Sequence, residues 1–179
     1  MKFVLFPLLL ACMIFSMAPF SFSADKIRTQ IIVRVISKDA KVISSGVGGA
    51  LVRIKNLETG EILAEGKQEG GTGDTDRIMV QPRRRGEPVY GKPGAALFQA
   101  EIPLSKPTQI EIHAEAPLGY PQAIQKETKT LLLIPGKHIL GEGVLIELYG
   151  LIVNTLEPGP EMGLKGGNKI TVKAEVRML

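Results

Sequence analysis

The sequence contains a single cysteine and few aromatic residues. Its 179 residues include one cysteine, no tryptophan, two histidines, three tyrosines and six phenylalanines. A chain with a single cysteine cannot form the disulfide framework of small secreted domains. The formal net charge of +4 is small. It is also dispersed along the chain, so we predict that the protein does not bind nucleic acid.

The first 23 residues differ in composition from the rest. Lys2 is followed by a mainly apolar stretch, and the small residues Ser21 and Ser23 precede Ala24. A basic start, a short apolar stretch and a small-residue cleavage site are typical of a secretory signal peptide. We therefore predict a signal peptide over residues 1–23 and a single β-sandwich domain over residues 24–179, exported to a bacterial periplasm.

A lipid anchor is the alternative outcome of export. Residues 9–12, Leu-Leu-Ala-Cys, resemble a lipoprotein cleavage box that would leave Cys12 as the lipidated first residue. The apolar run before Cys12 is short, and residues 13–20 stay apolar where a lipoprotein normally becomes polar. These two features favour the signal peptide.

The chain after residue 23 is large enough for one domain. Its roughly 156 residues can bury about 68 to 70% of their unfolded surface. This part of the chain has 21 basic and 18 acidic residues, and it contains no cysteine. No second run of 18 apolar residues follows, so we predict no transmembrane span in the mature chain.

Alternation of polar and apolar residues dominates the mature chain, which indicates β-strands. In residues 169–178 the even positions are apolar and the odd ones mostly polar, so we expect one face of this strand to pack. Residues 144–153 are apolar on nearly both faces, which predicts a central strand or a face that a partner covers. Nine candidate strands lie at residues 30–37, 50–56, 61–65, 77–81, 96–102, 108–116, 123–134, 143–154 and 169–178. We predict an all-β fold, an antiparallel two-sheet sandwich of seven to nine strands.

Turn residues separate most of these strands. Residues 56–61 carry Gly60 where a tight hairpin needs a positive φ, so residues 50–65 are predicted to form a β-hairpin. Two longer loops follow, at residues 66–76 and 82–94. Long loops on a rigid frame are where functional residues concentrate, so binding sites are expected in these two loops.

Residues 49–120 contain a recognisable pattern. A strand is followed by a Thr-Gly-Glu hairpin at residues 59–61, a second strand ending at Gly66, and a later strand closing on Ala-Pro-Leu-Gly-Tyr at residues 116–120. This pattern resembles the prealbumin-like sandwich modules, which include the regulatory-like domains of carboxypeptidases. The resemblance covers under half of the chain. It implies that the predicted sandwich is prealbumin-like, with an immunoglobulin-like sandwich as the alternative, and that it has a structural or interaction role.

Two groups of enzymes share that superfold, and the catalytic motif of neither group is present in this sequence. Intradiol dioxygenases bind iron with two Tyr and two His, and their His pair shortly follows a Tyr-Pro. Here Tyr120 and Pro121 are followed by Gln-Ala-Ile-Gln, and His138 lies far downstream. Transthyretin-like hydrolases end in Tyr-Arg-Gly-Ser, whereas this chain ends in Val-Arg-Met-Leu. We therefore predict no catalytic site and no cofactor.

The loop at residues 82–94 holds the highest local concentration of charge. Arg83, Arg84 and Arg85 lie close in sequence to Tyr90. Arginine offers forked donors to carboxylates and phosphates and stacks on aromatic rings. We predict these four residues as a binding site for an anionic ligand or partner surface, with a solvated loop of local ion pairs as the alternative.

Two further sets of residues are candidates for a metal site. Glu111, His113 and Glu115 share one face of the strand at residues 108–116, and His138 could supply a further ligand. The alternative is a solvated polar face. Asp74 and Asp76 lie in a glycine-rich loop whose composition suits a hard cation such as calcium, with a flexible loop as the alternative.

The absence of a catalytic motif, the basic loop and the apolar stretch at residues 144–153 favour a non-catalytic role. We predict a structural or interaction protein of the bacterial envelope, an accessory or adaptor subunit. Another envelope protein is the expected partner, and self-association is a further possibility. The alternative function is a periplasmic small-ligand or metal-binding protein.

Overall fold

The computed structural model describes residues 25–38, 40–159, 161–163, 166–167 and 169–179. The predicted signal peptide and Cys12 lie outside the described residues. Within them the chain is all-β, as predicted. The elements are β1 (Ile27–Ser37), β2 (Ala50–Asn56), β3 (Ile62–Gln68), α1 (Thr75–Met79), β4 (Phe98–Leu104), β5 (Thr108–Ala116), β6 (Gln125–Leu133), β7 (Ile139–Leu148), β8 (Leu151–Glu157) and β9 (Lys173–Met178).

Two sheets form the sandwich. One has four antiparallel strands in the order β3-β2-β5-β6, and the other has three strands in the order β4-β1-β7. Buried side chains from both sheets, such as Ile54 and Ile112 from one and Val33 and Ile146 from the other, form a single apolar core. Each buried isoleucine or valine contributes about 1.5 to 3 kcal/mol by leaving water. This shared core joins the sheets into a β-sandwich.

One pair of strands departs from the predicted antiparallel arrangement. β1 pairs antiparallel with β4 and parallel with β7, with Val33 opposite Phe98 on one side and Val144 on the other. A parallel pair needs a long crossover connection. Here the intervening chain, which includes the whole four-stranded sheet, provides that crossover.

The predicted hairpin at residues 50–65 is confirmed. β2 pairs antiparallel with β3, and Gly60 has a φ of 73° in the turn between them. The Asn56 side-chain oxygen accepts hydrogen bonds from the backbone N–H groups of Glu58 at 2.9 Å and Thr59 at 3.2 Å. The turn is therefore held by its own polar side chain as well as by its glycine.

The prediction of a strand at residues 77–81 is wrong, because residues 77–79 belong to the short helix α1. The Asp74 carboxylate caps the helix by accepting a hydrogen bond from the Arg77 N–H at 3.1 Å. Ile78 is buried and fixes the helix on a small second apolar cluster. Five residues are too few for alternation to be distinguished from one helical turn.

The single strand predicted at residues 143–154 is two strands in different sheets. β7 is an edge strand of its sheet, so the expectation of a central strand is also wrong. The division falls where β1 ends: the Lys38 N–H donates to the Leu148 carbonyl at 2.7 Å, and beyond it β1 offers no further strand partner. The chain then continues as β8, which pairs antiparallel with β9 in a separate two-stranded sheet.

A buried glutamine completes the three-stranded sheet beyond Val33, where the pairing of β1 with β4 ends. The Gln68 side-chain oxygen accepts from the Val35 N–H at 2.7 Å, and its nitrogen donates to the carbonyls of Val35 at 2.9 Å and Ile43 at 2.8 Å. Gln68 is completely buried. Its carboxamide therefore replaces a neighbouring strand along this part of β1.

The described part of the chain contains no helix with the length and apolarity needed to cross a membrane.

Candidate functional site

The loop at residues 82–94, called the arginine loop below, is fixed to β7 by one carboxylate. The Glu142 carboxylate accepts hydrogen bonds from the backbone N–H groups of Val89 and, at 2.7 Å, Tyr90. Beneath it, buried Arg34 donates to the carbonyls of Gly141 and Glu142, both at 2.6 Å. The loop is therefore positioned by side chains from β1 and β7, which the sequence did not reveal.

Two of the four predicted loop residues bind each other. Tyr90 is buried, with 5% of its surface exposed. The Arg83 guanidinium lies 5.8 Å from the centre of the Tyr90 ring, and its Nη2 donates to the tyrosine hydroxyl at 3.2 Å. Burial raises the pKa of Tyr90 above its usual value, and the nearby Arg83 charge opposes that rise. This pair holds the loop together and engages one terminal nitrogen of the exposed Arg83 side chain.

The remaining charges of the arginine loop differ in their surroundings. Arg77, which precedes the loop, donates to Glu87 at 3.0 Å and to the Pro88 carbonyl at 2.9 Å. Arg84 and Arg85 are exposed, and no ion pair involving either is found among the described residues. Of the predicted anion-binding residues, these two keep their guanidinium groups available to a partner.

The predicted metal ligands of β5 do share one face, but each of them contacts another side chain of the protein. His113 contacts Glu111 through Nε2 and lies 3.2 Å from the Thr128 hydroxyl through Nδ1. Glu115 pairs with Lys126 at 3.1 Å. In the described ranges no group of three or more His, Cys, Asp or Glu residues is placed to hold a metal ion.

The proposed third ligand, His138, lies beside the other sheet. It precedes β7, and its Nδ1 accepts a hydrogen bond from the Gln30 N–H of β1 at 3.0 Å. The structure therefore does not bring His138 to His113. Spacing along a strand predicted the shared face on β5, but it carried no information about which turn faces that strand.

The two predicted calcium ligands also have local roles. Asp74 caps α1, and Asp76 accepts a hydrogen bond from the Gln81 side chain at 2.7 Å. Both carboxylates thus stabilise the segment that connects β3 to the arginine loop.

A shallow groove of about 370 Å³ lies between the edges of β6 and β7. The Gln125 side chain crosses it, accepting from the Tyr149 N–H at 2.8 Å and donating to the Tyr149 carbonyl at 3.1 Å. In the neighbouring groove between the same two strands, Lys129 donates to the Leu145 carbonyl at 3.1 Å. These side chains satisfy part of the backbone that two edge strands leave unpaired.

The two-stranded sheet of β8 and β9, called the arm below, carries exposed apolar side chains. Leu151 lies opposite Met178, and Val153 lies opposite Val176. Directly opposed residues of an antiparallel pair share one face, so these four form a continuous surface, called the arm face below. They are exposed by 59, 59, 57 and 60%, in that order. The prediction that the apolar face of residues 169–178 packs within the chain is therefore wrong.

The opposite face of the arm is attached to the sandwich. Ile152 and Leu179 are buried in the main core, and the Leu179 N–H donates to the Gly150 carbonyl at 2.8 Å. Arg177 donates to the Tyr120 hydroxyl at 3.1 Å. The base of the arm is thus held, while the arm face points away from the core.

The four residues of the arm face were not predicted as site residues. Alternation at residues 169–178 and the two-sided apolar run at 144–153 were both visible in the sequence. Together they indicated an apolar face, but pairing between β8 and β9 in a sheet of their own was needed to show that nothing in the described chain covers it.

Comparisons with protein-family models, with curated proteins and with solved structures found no match to this chain.

Proposed function

We propose that this chain is an exported, non-catalytic β-sandwich that acts through protein contacts, as a structural or accessory component of the bacterial envelope. The observation that carries the proposal is the arm face. Contiguous apolar surface of this kind marks interaction sites on soluble proteins.

The stability of the arm supports the same proposal. An isolated two-stranded sheet is marginal in water, and stable small sheets have an apolar face packed against something. β8 and β9 make few contacts with other strands, and their most regular apolar face is exposed. Contact with another polypeptide would cover that face and stabilise the arm.

The arginine loop supplies a second, polar contribution. Arg84 and Arg85 are exposed on this loop, which Glu142, Arg34 and Tyr90 hold in place. A fixed loop loses little conformational entropy when a partner binds, which favours its use as a contact. Carboxylates on a partner surface are the matching chemistry.

Native mass spectrometry of the protein released gently from its own cell envelope tests this proposal. We expect a complex heavier than one chain, and we expect Leu151→Glu to abolish it because a charge would enter an apolar interface. Leu132→Glu is the matched control, since Leu132 is an exposed leucine on β6, away from the arm. A single chain in the wild type, or a complex that Leu151→Glu leaves intact, would contradict the proposal.

A further inference from the structure

We infer that the partner covering the arm face is a second copy of this chain, with the two arms packed face to face about a two-fold axis. This inference rests on the proposed function and names its partner. A two-fold contact uses the same patch on both subunits, so the patch must be compatible with itself in shape, polarity and charge.

The arm face meets the polarity requirement. Its central cross-strand pair is Val153 with Val176, flanked on one side by Leu151 with Met178 and on the other by Thr155 with Ala174. None of these side chains is charged. Two such faces can approach to the usual spacing of about 10 Å between packed sheets without desolvating an ion.

The charges of the arm meet the second requirement. Lys173 pairs with Glu157 at 2.7 Å, and Arg177 pairs with Glu175 at 2.8 Å. The charges of β8 and β9 therefore sum to zero in a chain whose net charge is +4. Two copies of a basic protein can meet here without the repulsion that other parts of their surface would produce.

The apolar area is sufficient when it is counted on two copies. The four side chains of the arm face each expose on the order of 100 Å². Thr155 and Ala174, the next pair on the same face, are exposed as well. Two copies would bury roughly 1,000 Å², the size at which a specific interface begins.

A lipid surface suits the arm less well. Segments that lie in the membrane interface combine an apolar face with excess lysine and arginine that bind anionic headgroups. The strands of the arm have no excess positive charge, because each of their two basic side chains pairs with a glutamate. The balance of charge therefore favours a polypeptide with an equally neutral face.

Sedimentation velocity of the purified chain between about 1 and 100 µM tests the inference. We expect a reversible monomer–dimer equilibrium. Leu151→Glu should raise the dissociation constant at least about 100-fold, since the symmetry places two unpaired charges in one interface. Leu132→Glu should leave the constant unchanged.

A single introduced cysteine gives an independent measurement that does not depend on a disruptive charge. The described residues contain no cysteine, so Val176→Cys would be the only thiol among them. Val176 belongs to the central pair of the arm face, and mild oxidation should link two copies of this variant into a covalent dimer. Leu132→Cys should stay monomeric under the same conditions.

The outcomes separate this inference from the proposed function. A monomer at all concentrations, combined with an arm-dependent complex containing a different protein in native mass spectrometry, would overturn the inference and leave the function. A monomer that floats with vesicles of phosphatidylethanolamine and phosphatidylglycerol would overturn it in favour of a membrane surface. Absence of any arm-dependent complex would overturn both.

Discussion

Replacement of Gln68 by leucine should destabilise the protein strongly, although the change makes the core more apolar. Leucine has nearly the same volume but no polar atoms. The variant would lose three hydrogen bonds, one to the Val35 N–H and one each to the carbonyls of Val35 and Ile43. The Val35 carbonyl also accepts from the Ile43 N–H at 3.0 Å and keeps that partner.

The magnitude follows from the groups left without a partner. The Val35 N–H and the Ile43 carbonyl would each be stranded, at a cost of about 1 to 3 kcal/mol apiece. Burying the apolar leucine side chain offsets part of this loss, by about 1 kcal/mol. We expect a net decrease of about 3 kcal/mol in the free energy of unfolding, a large part of the 5 to 15 kcal/mol typical of a domain.

Urea denaturation at a fixed protein concentration measures the effect, because self-association would otherwise shift the midpoint. Gln99→Leu is the matched control, since Gln99 is an exposed residue of β4. Its change should stay within about 0.5 kcal/mol. If Gln68→Leu unfolded at the same urea concentration as Gln99→Leu, the carboxamide would not be a substitute for a strand and the reasoning would fail.

Three further predictions concern the arginine loop and a tight turn. Glu142→Ala removes the acceptor of two backbone N–H groups, so trypsin should cut the arginine loop at least about 10-fold faster than in the wild type. The exposed control Glu61→Ala should be cut at the wild-type rate. Equal rates for the two variants would mean that the Glu142 carboxylate does not anchor the loop. Burial raises the pKa of Tyr90 above its usual 10.0, so an absorbance titration should show a phenol that ionises above this pH. Its contribution to stability is complete below the unfolded pKa near 10 and is lost as pH rises through the folded pKa; Tyr90→Phe should remove both the late titration and that loss, and persistence of either would refute the assignment. Gly48 has a φ of 91°, and a Cβ there would lie 2.0 Å from the Gly119 nitrogen, so Gly48→Ala should lower the free energy of unfolding by about 3 kcal/mol or more. Gly163→Ala, which meets no atom within 4 Å, should leave thermal unfolding unchanged, and similar melting of the two variants would argue against this close approach.

The sequence predicted those parts of the fold that depend on local pattern. β2 and β5 have the predicted bounds, because alternation and the flanking turn residues are both local. The parallel pairing of β1 with β7 could not be predicted, since it depends on how distant segments meet. α1 was mistaken for a strand because one turn of helix is too short to show its period.

The candidate sites depended even more on distant contacts. The sequence grouped Arg83 with Tyr90 correctly, but it could not show that the tyrosine ring is buried and contacts the Arg83 guanidinium. It also placed His113 on a polar face of β5, but not beside Thr128 of the neighbouring strand. The arm face was visible only as two apolar patterns whose pairing is a property of the folded chain.

The pairing of β1 also determines when the protein can fold. β1 is the first strand of the described chain, yet its strand partners are β4 and β7, which are made much later. The pairs β2–β3 and β5–β6 join segments that are close in sequence, so they can form earlier and offer an apolar surface on which the other sheet assembles. Because the distant pairings of β1 come last, folding should be slow. The three-stranded sheet cannot be completed until β7 has been made as far as Leu148, so one side of the core stays open to water during most of the synthesis of the chain.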